Sequence, residues 1–273
     1  MIRLERRGFS VVELLVVVLL GCLILMAAYQ VLATNTRIYA VNRARSQGQQ
    51  TLRGATDVLS GELREISSIG GDLLTMGANS LTVRAQRKFG LVCGVDYAVS
   101  PPRITVLTVG PAFQAQDSIF VFHDNDPERS SDDEWHAGTV SAVDPSGTCG
   151  GNAAHVLSVP LLGGTAAAIP PDSVRVGAPV RSFQVYSYEP VEYEGEWYLG
   201  RRSGGASVTD PLVGPLLHPG GIAFRYLDGT GQATTEPTLV AQIELTLRYR
   251  SALNDLGNQA VSDSIAVRVY LRN

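Results

Sequence analysis

Glu13 is a lone carboxylate at the amino end of an apolar run that lasts to Ala33. Between Glu13 and Arg37 lie 23 residues without a charge. That is enough for a helix to cross about 30 Å of hydrocarbon at about 1.5 Å per residue. An unpartnered carboxylate deep in a bilayer costs roughly 2.5–3.5 kcal/mol. A plain anchor has no use for it, so the chemistry to look for is a counter-charge. A second acidic group runs His123-Asp124-Asn125-Asp126-Pro127-Glu128, then Asp132-Asp133-Glu134-Trp135-His136. Asp124, Asp126, Asp132 and Asp133 offer oxygens of the kind Ca²⁺ takes, roughly six to eight at a time. The spacing is not that of an EF-hand: Pro127 falls where a ligand-bearing turn would continue, and no Gly follows in register. A solvated acidic loop without cofactor is the competing reading. Of three cysteines, Cys22 lies in the apolar run and Cys93 and Cys149 lie far downstream. A Cys93–Cys149 bridge fits an oxidising compartment. It would close a loop of 57 residues, contributing roughly 4 kcal/mol; the alternative is two separate thiols. No Cys-x-x-Cys, Gly-x-Ser-x-Gly or His-Glu-x-x-His occurs, and the single lysine, Lys88, precedes Phe89 rather than closing a phosphate-binding loop. The chain is not expected to be an enzyme.

The basic leader with Arg6 and Arg7, then Gly8, Phe9 and Glu13, resembles the cleavage and methylation motif of type IV prepilins and type II secretion pseudopilins. The resemblance implies that prepilin peptidase cuts after Gly8. It also implies that Phe9 becomes an N-methylated first residue and that Glu13 is the family's fifth-position glutamate. Cleavage would leave an amine at Phe9, the counter-charge Glu13 lacks. Positions 9 and 13 are four apart and share a helix face, although in the family the pairing is thought to run between neighbouring subunits. The partners implied are other pilins or pseudopilins through the N-terminal helix, the peptidase and the inner membrane. Two rival leaders read the same residues differently. An ordinary signal peptide would be cut near Val31-Leu32-Ala33, and a lipoprotein would be modified at Cys22 within Leu19-Leu20-Gly21-Cys22. Both must tolerate Glu13 inside the apolar core, which neither needs.

These residues need a long helix to carry them. Three arginines precede the apolar run and none follows until Arg37, so the amino end is expected in the cytoplasm and the rest outside. Beyond Ile38, apolar residues recur at helical spacing: Val41, Leu52, Ala55, Leu59, Leu63 and Ile66. This predicts an amphipathic continuation with one face on a core. Gly48, Gly54 and Gly61 each weaken it by up to about 1 kcal/mol relative to Ala, marking bends or close packing. Gly70-Gly71 is expected to end it. A short coiled-coil stalk is the alternative for this half.

After residue 72 the period changes from 3.6 to 2, with Gly and Pro punctuation. Strands are expected at 80–86, 91–98, 103–109, 118–122, 138–143, 154–160, 180–189, 196–202, 221–227, 238–250 and 261–272. In the last pair, Leu239, Ala241, Ile243, Leu245, Leu247 and Tyr249 line one face, and Ile265, Val267, Val269 and Leu271 alternate likewise. A hairpin turning at Asn254-Asp255-Leu256-Gly257 should bury that face against residues 52–66. Tyr186, Tyr188, Tyr193, Trp197 and Tyr198 crowd a neighbouring hairpin, as a cross-strand ladder or a partner-docking patch. The fold class expected is α+β: a long N-terminal helix, half membrane-spanning and half amphipathic, packed on an antiparallel β-rich domain. The organisation expected is a leader over 1–8, an apolar helix over 9–33, its continuation over 34–67, and a β-rich domain over 68–273. Gly-, Pro-, Ser- and Asp-rich insertions fall near 124–155 and 160–180. The strand segments 117–122 and 220–226 and the final Arg-Asn are similar to minor pilins of the PilW class and the J-type minor pseudopilin. The net charge is −4, and −6 if residues 1–8 are removed with Arg3, Glu5, Arg6 and Arg7. That balance argues against a nucleic-acid groove.

Overall fold

The computed structural model describes residues 10–124, 126, 128–129, 133–160, 174–255 and 257–272. One helix, α1, spans Val11–Glu65, about 82 Å at 1.5 Å per residue. Its buried residues are Val41, Ala44, Gly48, Thr51, Leu52, Ala55, Leu59, Ser60 and Leu63, a stripe at steps of three and four that continues to Ile66. The helix ends at Glu65, earlier than the Gly70-Gly71 pair. Ile66 leaves helical geometry with φ −80° and ψ 146° and drops into the core. A tight turn then spans Ser67 to Asp72, closed by the Asp72 N–H on the Ser67 carbonyl.

Among the described residues thirteen strands follow, all paired antiparallel: β1 Leu73–Met76, β2 Leu81–Asp96, β3 Arg103–Val109, β4 Ser118–His123, β5 Glu134–Thr139, β6 Ala142–Cys149, β7 Asn152–Ser158, β8 Pro179–Tyr193, β9 Glu196–Ser203, β10 Asp210–Leu216, β11 Ile222–Leu227, β12 Gln242–Asn254 and β13 Ala260–Tyr270. Ten form one sheet with the order β10-β9-β8-β2-β3-β7-β6, to which β1 adds beside β2, and β4 with β5 beside β8. The last three make a separate sheet, β11-β12-β13. The two strands expected at 80–86 and 91–98 are one, because β2 runs through a bulge between Gln86 and Lys88. Three strands, β5, β6 and β7, lie within the stretch expected as an insertion at 124–155 and just beyond it.

Among the described residues two large apolar cores result, beside a small cluster of Val41, Ala44 and Val261. In the first, Leu52, Ala55, Leu59, Leu63 and Ile66 of α1 meet Leu81, Val83, Tyr186 and Tyr188 of the large sheet and Ile243, Leu245, Leu247 and Tyr249 of the small one. The helix therefore covers the greasy face that the hairpin pattern demanded. One alternation slips: Leu239 is exposed in a short 3₁₀ turn, Pro237–Leu239, and Val240 takes the buried place. The second core gathers Val92, Val106, Phe113, Ile119, Val121, Leu157 and Val180, away from the helix.

The helix glycines separate by environment. A Cβ on Gly48 would meet the ring of Tyr249, with Cε1 at 2.6 Å, and that ring is buried with nowhere to go. A Cβ on Gly61 meets nothing within 4 Å. Gly48→Ala is expected to destabilise the protein by about 1–3 kcal/mol through overpacking. Gly61→Ala is expected to stabilise it by up to about 1 kcal/mol through helix propensity. Chemical denaturation of the full chain in detergent checks both, and equal effects of the two substitutions would contradict the assigned packing.

Candidate assembly surface

The first half of α1 touches nothing in the described chain. From Ser10 to Arg37 every residue is exposed except Gly21, which is partly covered. Val11 is 80% exposed, Leu25 71% and Tyr29 71%. The most apolar eighteen-residue window has a mean hydropathy of 2.9 and is 0% buried. This helix is long and apolar enough to cross a membrane. The apolar side chains point in all directions round the axis, so what covers them must surround the helix, as lipid or a sheath of other helices does.

Glu13 sits in the first turn of this half. The four leading N–H groups of a helix have no intrahelical partner and carry partial positive charge, so a carboxylate there is locally favoured. Ser10-Val11-Val12-Glu13 has the spelling of a capping box, yet Ser10 makes no side-chain cap bond. Among the described residues Glu13 has no ion pair. Gly8 and Phe9 lie outside the described residues. Cys22 is a free, exposed cysteine on the same stretch.

The boundary between the bare half and the docked half is sharp. Arg37 donates from Nη2 to the Asp255 carbonyl at 2.8 Å, tying the β12–β13 turn to the helix. Val41 and Ala44 then close on Val261. Farther along, Thr51 donates to the Gly214 carbonyl at 3.2 Å and Glu62 pairs with Arg87 at 2.9 Å. The anchoring contacts thus lie from Arg37 onward, which holds the apolar half clear of the domain.

The other sequence candidates are placed as follows. Cys93 and Cys149 form a disulfide with a Cα–Cα distance of 5.9 Å, joining β2 to β6. Asp124 faces Arg175 at 3.7 Å and Asp126 faces Arg129 at 3.6 Å. Asp133 is described and Asp132 lies outside the described residues. Among the described residues no three metal-ligating side chains come together. His123, at the end of β4, is buried against His136 with ring centroids 4.5 Å apart. Burial, with His136 beside it, pushes its pKa below the ordinary histidine value. The aromatic group divides. Tyr186 and Tyr188 lie in the core beneath the helix. Tyr193 packs edge-on against Tyr198 at 6.1 Å, and Trp197 stacks on His218 at 3.5 Å near the hairpin tip. One feature had no signal in the sequence: the buried Asp72–Arg181 ion pair at 3.0 Å, formed by residues 109 apart in the chain.

Comparison of the chain with protein-family models, with curated proteins and with solved structures finds no match.

Proposed function

We propose that this protein is a minor pilin or pseudopilin, a structural and assembly subunit of a type IV pilus or type II secretion pseudopilus. Prepilin peptidase processes it after Gly8. It sits in the inner membrane with its amino end cytoplasmic and its β-rich domain outside, then joins a filament. It performs no catalysis and takes no cofactor. The observation that carries the reading is a bare half-helix, apolar from Leu14 to Ala33 apart from Gln30, that starts at Glu13, a carboxylate with no ion pair among the described residues. A membrane accommodates the apolar side chains but leaves the carboxylate as a cost. A bundle of like helices accommodates both, because each new amine at Phe9 offers a cation to a neighbour's Glu13. The β-rich domain rides on the other half of the same helix and is carried wherever that helix packs.

Glu13→Ala is expected to reach the membrane in normal amount and to be absent from sheared filaments or from co-purified pilin complexes. Assembly at the wild-type level by this variant counts against the proposal. Mass spectrometry of the mature chain gives a separate reading: N-methyl-Phe9 is expected, and a lipid-modified Cys22 would instead make the protein an anchored, non-polymerising domain.

A further inference from the structure

Along β8, Val180, Ser182, Gln184, Tyr186 and Tyr188 share one face of the large sheet. Val180 belongs to the second core, and Tyr186 and Tyr188 to the core under the helix. Between them the face turns polar at Ser182 and Gln184. The same place is a fork in the sheet. β4 pairs with β8 only as far as Phe183, and β9 takes up the edge from Tyr186. An open groove of about 650 Å³ lies in the fork, within the size range of small-molecule sites.

The polar groups in this groove form a matched set. Lys88, the only lysine in the chain, holds its Nζ 2.6 Å from Asp117 Oδ2. That oxygen also accepts the Gln114 N–H at 2.7 Å, which fixes the carboxylate. Tyr186 donates to Gln184 Oε1, so the amide nitrogen of Gln184 keeps both its hydrogens for another partner. Ser182 is 2% exposed, lines the groove, and its hydroxyl has no hydrogen-bond partner. A buried hydroxyl left unpaired costs about 1–3 kcal/mol, a cost the fold could remove with alanine. The charges cancel in pairs: Lys88 by Asp117, and Arg87 on the groove wall by Glu62 at 2.9 Å. Neither of the two cations that line the groove is therefore left free for an anionic ligand.

We propose that this groove binds an uncharged, hydroxyl-rich ligand, a saccharide unit. An ammonium and a carboxylate side by side suit two neighbouring hydroxyls, one accepting from Lys88 and the other donating to Asp117. Gln184 and Ser182 supply a further donor and a group that can act either way. The site lies on the β-rich domain and does not depend on what the apolar helix does.

The test uses the full chain in lipid nanodiscs, because maltoside detergents carry the probe chemistry. Maltose, cellobiose and N,N′-diacetylchitobiose serve as probes, read by saturation-transfer NMR and calorimetry. At least one is expected to bind with a Kd below about 10 mM. Gln184→Ala and Ser182→Ala are each expected to weaken it about tenfold, the effect of one lost hydrogen bond of about 1.4 kcal/mol. Thermal unfolding of both variants should match the wild type within a few degrees, so that a loss of binding reports the groove. Three results would overturn the proposal: no disaccharide binding, binding unchanged in both variants, or a sulfated disaccharide or tetraglycine binding in preference to the neutral sugars.

Discussion

Asp72→Ala is expected to destabilise the folded protein by about 3–5 kcal/mol, the usual cost of stranding one member of a buried ion pair. Arg181 is 4% exposed and Asp72 2%. The guanidinium donates to both carboxylate oxygens, at 3.0 and 3.4 Å. It also lies over the rings of Phe120 and Trp135, at 5.0 and 4.7 Å from their centroids. Without Asp72 that cation remains among aromatic faces with no anion. Asp72 does a second job in the turn after α1, where its carboxylate accepts the Ser67 N–H at 3.0 Å. Next to it, Arg84 donates to the Gly71 carbonyl at 2.7 Å. The Asp72 side chain therefore braces the turn where the helix stops and ties it to β8, while Arg84 ties the same turn to β2. Asp72→Leu with Arg181→Met should cost much less than the sum of the single changes, because removing both charges removes the desolvation penalty as well as the attraction. Denaturation of the four proteins of this cycle, in detergent, measures the coupling. A loss below about 1 kcal/mol for Asp72→Ala would show that water reaches the site.

The sequence was most readable where one face of an element is buried and the element lies inside the fold. Leu52, Ala55, Leu59, Leu63 and Ile66 announce their helix face, and Ile243, Leu245 and Leu247 their strand face, because burial on one side imposes a period. The same rule explains the failures. β10 contains Pro211 and Pro215, and β6 contains Pro145 and Gly147. Those residues argue against a strand, since proline cannot donate to a ladder. Yet β10 and β6 are the two ends of the seven-strand path through the large sheet, and an edge strand has one side where no donor is required. Position in the sheet, which a local pattern cannot report, decides whether proline is tolerated. Leu239 and Val240 exchanged roles because a turn of 3₁₀ helix shifts the alternation by one residue. Glu13 was legible because it violates the pattern around it. Asp72 was not, because a carboxylate after a helix looks like any surface residue until its partner, Arg181, is brought to it by the pairing of β2 with β8.

Replacing Cys93 and Cys149 together by alanine is expected to cost up to about 4 kcal/mol, the chain-entropy value for a loop closed across a separation of 56 residues. The loss should be uneven. β2 lies at the centre of the large sheet, paired with both β3 and β8, and its Leu81, Val83, Ala85 and Val92 line the two cores. β6 ends the strand path, hydrogen-bonded as a ladder among the described residues to β7 alone through an irregular register, and none of its residues is buried. The disulfide fastens this weak strand directly to the strong one, although β3 and β7 separate the two in the sheet order. Without it, β6 has little apolar burial to hold it down, so the β6–β7 hairpin should open before the rest of the domain unfolds. Amide hydrogen exchange is expected to accelerate through residues 142–158 while the buried stretch of α1 and strands β12 and β13 keep their protection. Reduction of the wild-type protein should give the same local pattern. Uniform acceleration over the whole domain would mean that β6 folds and unfolds with the central strands, and that the covalent link acts on the unfolded chain alone.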